Sequence, residues 1–292
     1  MHLADAYAAY ARQLAADGRS VHTRNQYRRH LQLFADWLAT RGPVPALEDL
    51  GPAEVAAFLI GDAAQHRLDG APKRATSMNA LRSSLRTFCA YAHAAGWTST
   101  NPARLLRRAR TGTPPPRALG DDDRERLLVA LSDAPGTAAR RDEMLIRLLL
   151  GTGLRIGSAV GLDVGDVDLA RAELAVRRTK GDRPETVYLS RDLVVRLRRF
   201  LADRLEGPLF TTATGARLTT RQAGRRFARR AGEGGLLRAV SPHTCRHTFA
   251  TALLAKTGDV ALVQAALRHR SIASTLVYAR VDATKVQAAI EG

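Results

Sequence analysis

Residues 241–254 of the 292-residue chain read SPHTCRHTFATALL, and the interpretation of the sequence starts from this segment. We expect a helix over about residues 243–256. It begins with side chains that can carry positive charge or move protons, His243, Arg246 and His247. Arginine is the residue best suited to bidentate hydrogen bonding with phosphate or carboxylate oxygens. The segment therefore indicates a site for an anionic group.

Further residues of the same chemical kind follow along the second half of the chain. They are Arg155 after Gly151-Thr-Gly-Leu154, Lys180 at the tip of a predicted hairpin, His269 after Leu267-Arg268, and Tyr278 at the end of SIASTLVY. Together with His243 and Arg246 they form a set of six candidate catalytic residues.

This set matches what phosphodiester exchange needs when no metal ion takes part. Two arginines can bind the non-bridging oxygens and neutralise the charge of the transition state. A tyrosine can form a covalent intermediate once a partner manages its hydroxyl proton, and a lysine or histidine can protonate the leaving oxygen. The chain has no GxxxxGK[ST] motif, no CxxC pair and no tight carboxylate cluster. We therefore predict no cofactor and no metal.

Simpler interpretations exist for each residue taken alone. A single arginine or hairpin lysine is usually a surface residue, and Tyr278 could be a core aromatic. His243, Cys245 and His247 could be read as metal ligands, but alternate positions on a helix scatter side chains around its axis. The order and spacing of the six residues together favour a catalytic site.

Composition gives an independent indication of the partner. The chain has 45 Lys and Arg against 28 Asp and Glu, a formal net charge of +17, which favours a polyanion. Codon bias in a GC-rich genome could explain why arginine outnumbers lysine, but it does not require this excess. Two distant cysteines predict no disulfide framework and a reducing cytoplasm. No segment approaches the roughly 20 apolar residues of a membrane span, so we expect no membrane association.

The first hundred residues predict a bundle of four helices without strands. Two apolar faces are evident, one formed by Leu3, Tyr7, Tyr10 and Leu14 and the other by Tyr27, Leu31, Phe34 and Leu38. Thr23 is the expected cap of the second helix, Pro52 the start of the third, and the fourth begins near Thr76. We expect these helices to form an N-terminal domain over residues 1–108.

The three prolines within residues 109–118 predict an extended linker to a second domain over residues 119–292. That domain is expected to be mostly helical with a small antiparallel sheet. Its predicted elements are a helix from Asp121, an apolar helix over 144–150, strands over 171–178 and 185–190, and helices at about 191–205, 219–232, 243–256, 260–268 and 272–280. The fold class predicted for the chain is therefore mainly α.

The order Arg155, Lys180, His243-x-x-Arg246, His269 and Tyr278 resembles the tyrosine recombinase (phage integrase) family. TGLRIGSAVGL, SPHTCRHTFATALL and ALRHRSIASTLVYARV are similar to three motifs of that family. RSVHTRNQYRRHLQLFADWL resembles its helical, SAM-like core-binding domain. The similarity covers nearly the whole chain and is greatest to the simple, Xer-like members with two domains.

The resemblance implies a role for each candidate. Tyr278 would attack the scissile phosphate and form a 3′-phosphotyrosine, while Arg155 and Arg246 would bind the non-bridging oxygens. Lys180 would protonate the leaving 5′ oxygen. The family uses neither metal nor ATP, because one transesterification balances the other.

The resemblance also assigns the two histidines and the assembly. His243 would exchange a proton with Tyr278, and His269 would donate a hydrogen bond to the phosphate. Duplex DNA is the implied partner. Recombination needs four active sites, so a homo-tetramer on DNA, or a hetero-tetramer with a second recombinase, is expected.

Basic side chains on predicted helices are candidates for phosphate contact, or alternatively for a solvated surface. Those we assign to DNA contact are Arg24, Arg28, Lys73, Arg74, Arg82, Arg86, Arg225 and Arg229.

Two positions depart from the family pattern. Ser158 stands where the family usually has an acid, and Arg268 stands where it has a glycine before the last histidine. Two alternatives stay open beside recombination: a type IB topoisomerase-like relaxase, and a catalytically weakened relative that binds DNA without cutting it.

Overall fold

The computed structural model describes residues 1–109, 118–176, 185–236 and 240–268, together with Thr275. The chain divides into two compact units, Met1–Gly112 and Thr113–Gly292. Most of the expected linker lies outside the described residues, so the finer domain bounds stay a prediction.

Helices build the N-terminal unit. In chain order they are α1 (Leu3–Ala16), α2 (Val21–Ala39), α3 (Pro52–Ile60), α4 (Asp62–Gln65) and α5 (Ala75–Ala94), with a 3-10 turn at Leu47–Asp49. The four longer helices confirm the predicted set. The one-turn helix α4 and the 3-10 turn were not predicted, because segments this short carry no hydrophobic period.

Aromatic side chains form the centre of this unit. Phe34 of α2, Phe58 of α3 and Phe88 of α5 are completely buried, and the ring centroids of Phe34 and Phe58 are 5.0 Å apart. The buried faces of α1 and α2 are the ones that the apolar spacing predicts. Burial of these faces against α5 therefore determines how the helices pack.

The start of α2 differs from the prediction by one detail. Ser20, not Thr23, caps the helix: its side chain accepts a hydrogen bond from the Thr23 backbone N–H at 3.2 Å. Thr23 lies inside the helix, with its hydroxyl 2.9 Å from that of Ser20. Both residue types favour cap positions, and only the backbone shows that the extended residue is Ser20.

The C-terminal unit combines helices with one small sheet. Its described elements are α6 (Asp121–Ser132), α7 (Thr137–Thr152), α8 (Ile156–Gly161), a 3-10 turn (Val164–Asp166), β1 (Val167–Asp168), β2 (Glu173–Val176), β3 (Glu185–Tyr188), α9 (Arg191–Leu201), α10 (Thr220–Glu233), α11 (Pro242–Thr257) and α12 (Val260–Leu267).

Helix α7 is the centre of this unit and packs against α6, α8, α9, α10 and α11. Its apolar residues, among them Leu145, Leu148 and Leu149, are buried. The helix is longer than the predicted run over 144–150. Its first half also buries the charged pair Arg141 and Asp142, which a hydrophobic pattern cannot identify as core.

The sheet is antiparallel, with the order β1-β2-β3. Leu174 of β2 lies opposite Val187 of β3, and both are buried. Val176 and Glu185 are the last described pair of these strands, because residues 177–184 lie outside the described part of the chain. The two predicted strands are confirmed. Strand β1 was missed because two residues are too few to show an alternating pattern.

Two helices predicted in the C-terminal unit need comment. Helix α9 ends at Leu201 rather than near residue 205, because Ala202 has φ 46° and ψ −119°, which lie outside the helical region. The helix expected over 272–280 lies outside the described residues apart from Thr275. Among the helices described, none is both long and apolar enough to cross a bilayer.

Candidate active site

Arg246 lies near the start of α11 and is only 5% exposed. Its Nη1 donates a hydrogen bond to the Gly153 carbonyl oxygen at 2.5 Å, and its Nη2 donates to the Leu267 carbonyl oxygen at 2.6 Å. A buried guanidinium needs such acceptors, because an unpaired buried charge is costly. Arg246 therefore joins the corner after α7 to the end of α12.

Gly153 makes this corner possible. It ends α7 in the left-handed conformation, with φ 63°. A Cβ atom at this position would lie 2.5 Å from Phe249 Cδ1 and 2.9 Å from Leu267 Cδ2. The Thr-Gly-Leu sequence thus has a physical basis, because only glycine fits both the backbone and the space.

Arg155 follows this corner directly. Leu154 is buried and anchors the chain, while Arg155 is exposed and immediately precedes α8. The backbone two residues before Arg155 contacts Arg246. Both predicted phosphate-binding arginines therefore belong to one corner of the unit, with Arg246 held inside and Arg155 directed to the surface.

His243 is exposed in the first turn of α11, one turn before Arg246. Pro242 begins the helix, and Ser241 precedes it as the cap residue. Cys245 is completely buried on another side of the helix. His243 and Cys245 therefore face different environments, which argues against a shared metal.

His247 is half-buried next to these residues. Burial lowers its pKa below the ordinary value, and the nearby His243 and Arg246 lower it further. The neutral imidazole of His247 is therefore favoured at neutral pH.

Lys180, His269 and Tyr278 lie outside the described residues, and their roles stay predictions. The described chain reaches the flanks of the first two. Glu185, five positions after Lys180, begins β3, and Arg268 directly precedes His269. Segments near positions 153, 246 and 267 meet in the described structure, as the set of six requires.

Arg268 was noted in the sequence only as a departure from the family pattern, and the structure gives it a contact. It ends α12 in the left-handed conformation, with φ 54° and ψ 44°, which costs a residue other than glycine about 1 kcal/mol. Its Nε lies 3.5 Å from Glu185 Oε2, and the two side chains are 12% and 24% exposed. An ion pair therefore joins the end of α12 to the first residue of β3. No sequence signal links these two positions.

Ser158, the other departure, is half-buried on α8, three positions after Arg155. A serine there supplies no carboxylate to the corner that carries Arg155. Among the described residues, no three His, Cys, Asp or Glu side chains are grouped so that they could hold a metal ion.

The predicted DNA-contact residues of the N-terminal unit lie on or next to α2 and α5. Arg28, Arg74 and Arg86 are exposed, and Arg24 and Arg82 are half-buried. The ammonium of Lys73 donates to the carbonyl oxygens of Ala63 and Ala64 at 3.0 and 2.9 Å. Burial lowers the pKa of Lys73. Lys73 thus supports α4, and DNA contact by any of these residues stays a prediction.

Some arginines of helix α10 contact the core, and others lie on the surface. Asp142 of α7 is 2% exposed and accepts hydrogen bonds from Arg226 Nε at 2.6 Å and Arg230 Nε at 3.3 Å. Arg229 pairs with Glu233 at 2.8 Å, and Arg225 is exposed. Two arginines of the basic helix therefore anchor it to α7, and sequence reasoning did not separate them from the others.

Comparison with known proteins identifies the family. Residues 117–285 match the phage integrase family, and residues 8–96 match the phage integrase N-terminal SAM-like domain. Tyrosine recombinase XerD of Ralstonia nicotianae is 31% identical over 273 residues, which cover 91% of this chain and 85% of that protein. Tyrosine recombinase XerC of Vibrio parahaemolyticus is 32% identical over 271 residues, which cover 91% and 84%. The chain therefore belongs to the phage integrase family and is a tyrosine recombinase.

Solved structures share the fold. The Tn1549 transposon integrase in complex with circular intermediate DNA superposes with a TM-score of 0.79 at 20% identity, covering 100% of each chain. The XerH site-specific recombinase bound to difH substrate gives a TM-score of 0.72 at 23% identity, covering 91% of this chain and 78% of that one. The predicted fold class, mainly α with a SAM-like N-terminal domain and a small antiparallel sheet, is confirmed.

Proposed function

We propose that the chain is a site-specific recombinase that cleaves and rejoins duplex DNA through a 3′-phosphotyrosyl link to Tyr278, without metal or ATP. The observation that supports this most is the position of Arg246. Its contacts with Gly153 and Leu267 bring together the segments that carry Arg155 and precede His269. Segments far apart in the sequence are thus in contact through Arg246, which supports their acting together.

In this proposal Arg155 and Arg246 bind the non-bridging oxygens of the scissile phosphate. Each Nη nitrogen of a guanidinium carries two N–H groups, so one carbonyl contact on each is compatible with further donation to phosphate. The carbonyls of Gly153 and Leu267 hold Arg246 in place before DNA arrives. Preorganised donors stabilise the transition state without a reorganisation cost during the reaction.

The remaining roles fall to residues whose side chains supply or accept protons. Tyr278 attacks phosphorus, its O–P bond forms as the bond to the 5′ oxygen breaks, and its proton passes to His243. Lys180 protonates the 5′ oxygen, and His269 donates a hydrogen bond to the phosphate. Rejoining runs the same steps in reverse, so the energy of the phosphodiester bond is retained.

Duplex DNA is the proposed partner, supported by the net charge of +17 and by structural neighbours that were solved in complex with DNA. Residues 1–108 and 119–292 would bind it together, joined by the linker 109–118. The contacting side chains would be Arg24, Arg28, Lys73, Arg74, Arg82, Arg86, Arg225 and Arg229. We propose a tetramer on DNA, of this chain alone or with a second recombinase, and a cytoplasmic location.

Trapping of covalent complexes on host genomic DNA tests this proposal. Wild-type protein is denatured during the reaction, and the attached DNA is sequenced. We expect adducts at a small number of discrete sites, equally in chelator and in Mg²⁺, and none with Tyr278→Phe. Adducts spread over the genome, together with plasmid relaxation but no recombination between paired sites, would favour a relaxase. Strict dependence on Mg²⁺ would contradict the mechanism.

A further inference from the structure

We propose that the ion pair between Arg268 and Glu185 is a positioning contact for strand cleavage. It holds the end of α12, which directly precedes His269 in the sequence, against the start of β3, five positions after Lys180. This inference rests on the proposed function, and it assigns a purpose to two residues that contact neither the nucleophile nor the scissile phosphate in the mechanism above.

The backbone of Arg268 gives the first argument. Left-handed conformations are readily adopted by glycine and are unfavourable for arginine. Strain of this kind persists when the surrounding structure compensates for it, and it occurs often at functional sites. The side chain of Arg268 is only 12% exposed, whereas an arginine that merely ends a helix would extend into water.

The partner gives the second argument, because Glu185 is held in the sheet. It is the first residue of β3 and lies opposite Val176 in the antiparallel register. These two residues form the last described pair of the two strands, and Lys180 lies between them in the sequence. A contact at Glu185 therefore acts on the first residue of β3, five positions after Lys180 in the sequence.

The contact also continues a chain of interactions that begins at the proposed active site. Arg246 donates to the carbonyl oxygen of Leu267 at 2.6 Å, and the next residue, Arg268, pairs with Glu185 at 3.5 Å. Three segments from different parts of the sequence are linked in this way: α11, the end of α12, and β3. Misplacement of a catalytic group by about 1 Å can slow a reaction about 100-fold. Loss of the pair should thus lower the rate of cleavage more than the affinity for DNA.

The test compares Arg268→Gly, Glu185→Gln and the double variant with wild type. Cleavage is followed in a single turnover at saturating concentrations of a nicked trapping substrate, and DNA affinity and thermal unfolding are measured in parallel. We expect each single variant to cleave about tenfold or more slowly, with DNA affinity within about twofold of wild type. Because the two residues act as one contact, the double variant should be no slower than the slower single variant.

Two further variants separate positioning from folding. Arg268→Lys keeps the charge and should recover most of the lost rate. Arg171→Ala is the matched control, because Arg171 forms an exposed ion pair with Asp168 beside the same sheet, with Nε and Oδ2 3.8 Å apart. It should cleave at the wild-type rate. Arg268→Gly should unfold at the wild-type temperature or above, since glycine relieves the left-handed strain.

Several outcomes would overturn the inference. They are wild-type cleavage rates in both single variants, losses that multiply in the double variant, or a loss of DNA affinity as large as the loss of rate. Failure of the proposed function is distinguishable, because wild type itself would then form no covalent adduct.

Discussion

Arg246 Nη1 lies 2.5 Å from the carbonyl oxygen of Gly153, although 93 positions separate the two residues in the sequence. The proposed mechanism needs two arginines on one phosphate, and packing of Arg246 against Gly153 brings the segments that carry them together. Arg246, which should act beside Arg155, also holds the backbone corner at Gly153 that precedes Arg155. Changes to the corner should thus affect stability and cleavage together.

Gly153→Ala tests the corner. The added Cβ would lie 2.5 Å from Phe249 Cδ1 in a backbone with φ 63°, so we expect a loss of about 2–4 kcal/mol in the free energy of unfolding. The measurement is urea unfolding, with cleavage assayed on the folded fraction. Gly157→Ala is the control in the same motif, because its nearest atom, Thr220 Cγ2, is 3.7 Å away. Equal stability of the two variants would show that the corner tolerates a side chain.

Asp142→Asn tests whether the buried carboxylate of Asp142 anchors α10 to α7. The buried carboxylate of Asp142 accepts hydrogen bonds from Arg141, Arg226 and Arg230. Without its charge these guanidinium groups lose their common partner, and we expect a loss of about 3 kcal/mol in the free energy of unfolding. Asp192→Asn removes an exposed partner of Arg196 and should change it by less than about 1 kcal/mol. Similar losses in both variants would contradict a special role for the buried site.

The same carboxylate predicts a pH dependence of stability. Burial alone would raise the pKa of Asp142, but hydrogen bonds from Arg226 and Arg141 hold it below its ordinary value of 3.8. Its stabilising contribution is therefore complete well above pH 3.8 and is lost as the pH falls towards the pKa of the folded state. Wild type should lose stability relative to Asp142→Asn as the solution becomes more acidic. A constant difference between them from pH 6 to pH 3 would contradict this assignment.

Arg28→Ala and Arg86→Ala test the proposed DNA surface of the N-terminal unit. Both side chains are exposed, and each should contribute one phosphate contact. Each substitution should weaken binding to all duplexes alike and reduce the slope of log K against log salt by about 1. The control is Arg41→Ala, since Arg41 stacks on Trp37 with its Cζ 4.9 Å from the ring centroid. An unchanged slope in both test variants would place the DNA elsewhere.

The sequence predicted the larger features well, because they rest on periodic patterns. The spacing of apolar residues in α1 and α2 identifies the buried faces of these helices. Gly153 and Arg246 belong to sequence motifs, and the contact between them gives these motifs a structural explanation. Short elements such as α4 and β1 escaped notice because a few residues show no period. These gaps follow from the length of the element rather than from its importance.

The burial and partners of charged residues were harder to predict from the sequence. Arg225 and Arg230 look alike on one basic helix, yet Arg225 is exposed and Arg230 is 7% exposed beside Asp142. Nothing local in the sequence separates them, since the partner lies 88 positions away. The pair of Arg268 with Glu185 was invisible for the same reason. Long-range contacts of charged groups become evident only once the fold is known.

Identification of the amino acid bound to DNA tests the central claim most directly. The chain has six tyrosines. In the N-terminal unit Tyr10 is buried and Tyr7 is partly buried, and burial raises the pKa of both hydroxyls. Tyr188 on β3 is 74% exposed. Covalent complexes trapped on a nicked duplex are digested with protease and nuclease, and the nucleotide-bearing peptide is sequenced by mass spectrometry. We predict a peptide modified at Tyr278, adducts that persist in Tyr188→Phe, and none in Tyr278→Phe. A nucleotide on any other residue, or equal adduct yield from Tyr278→Phe, would contradict the proposed mechanism.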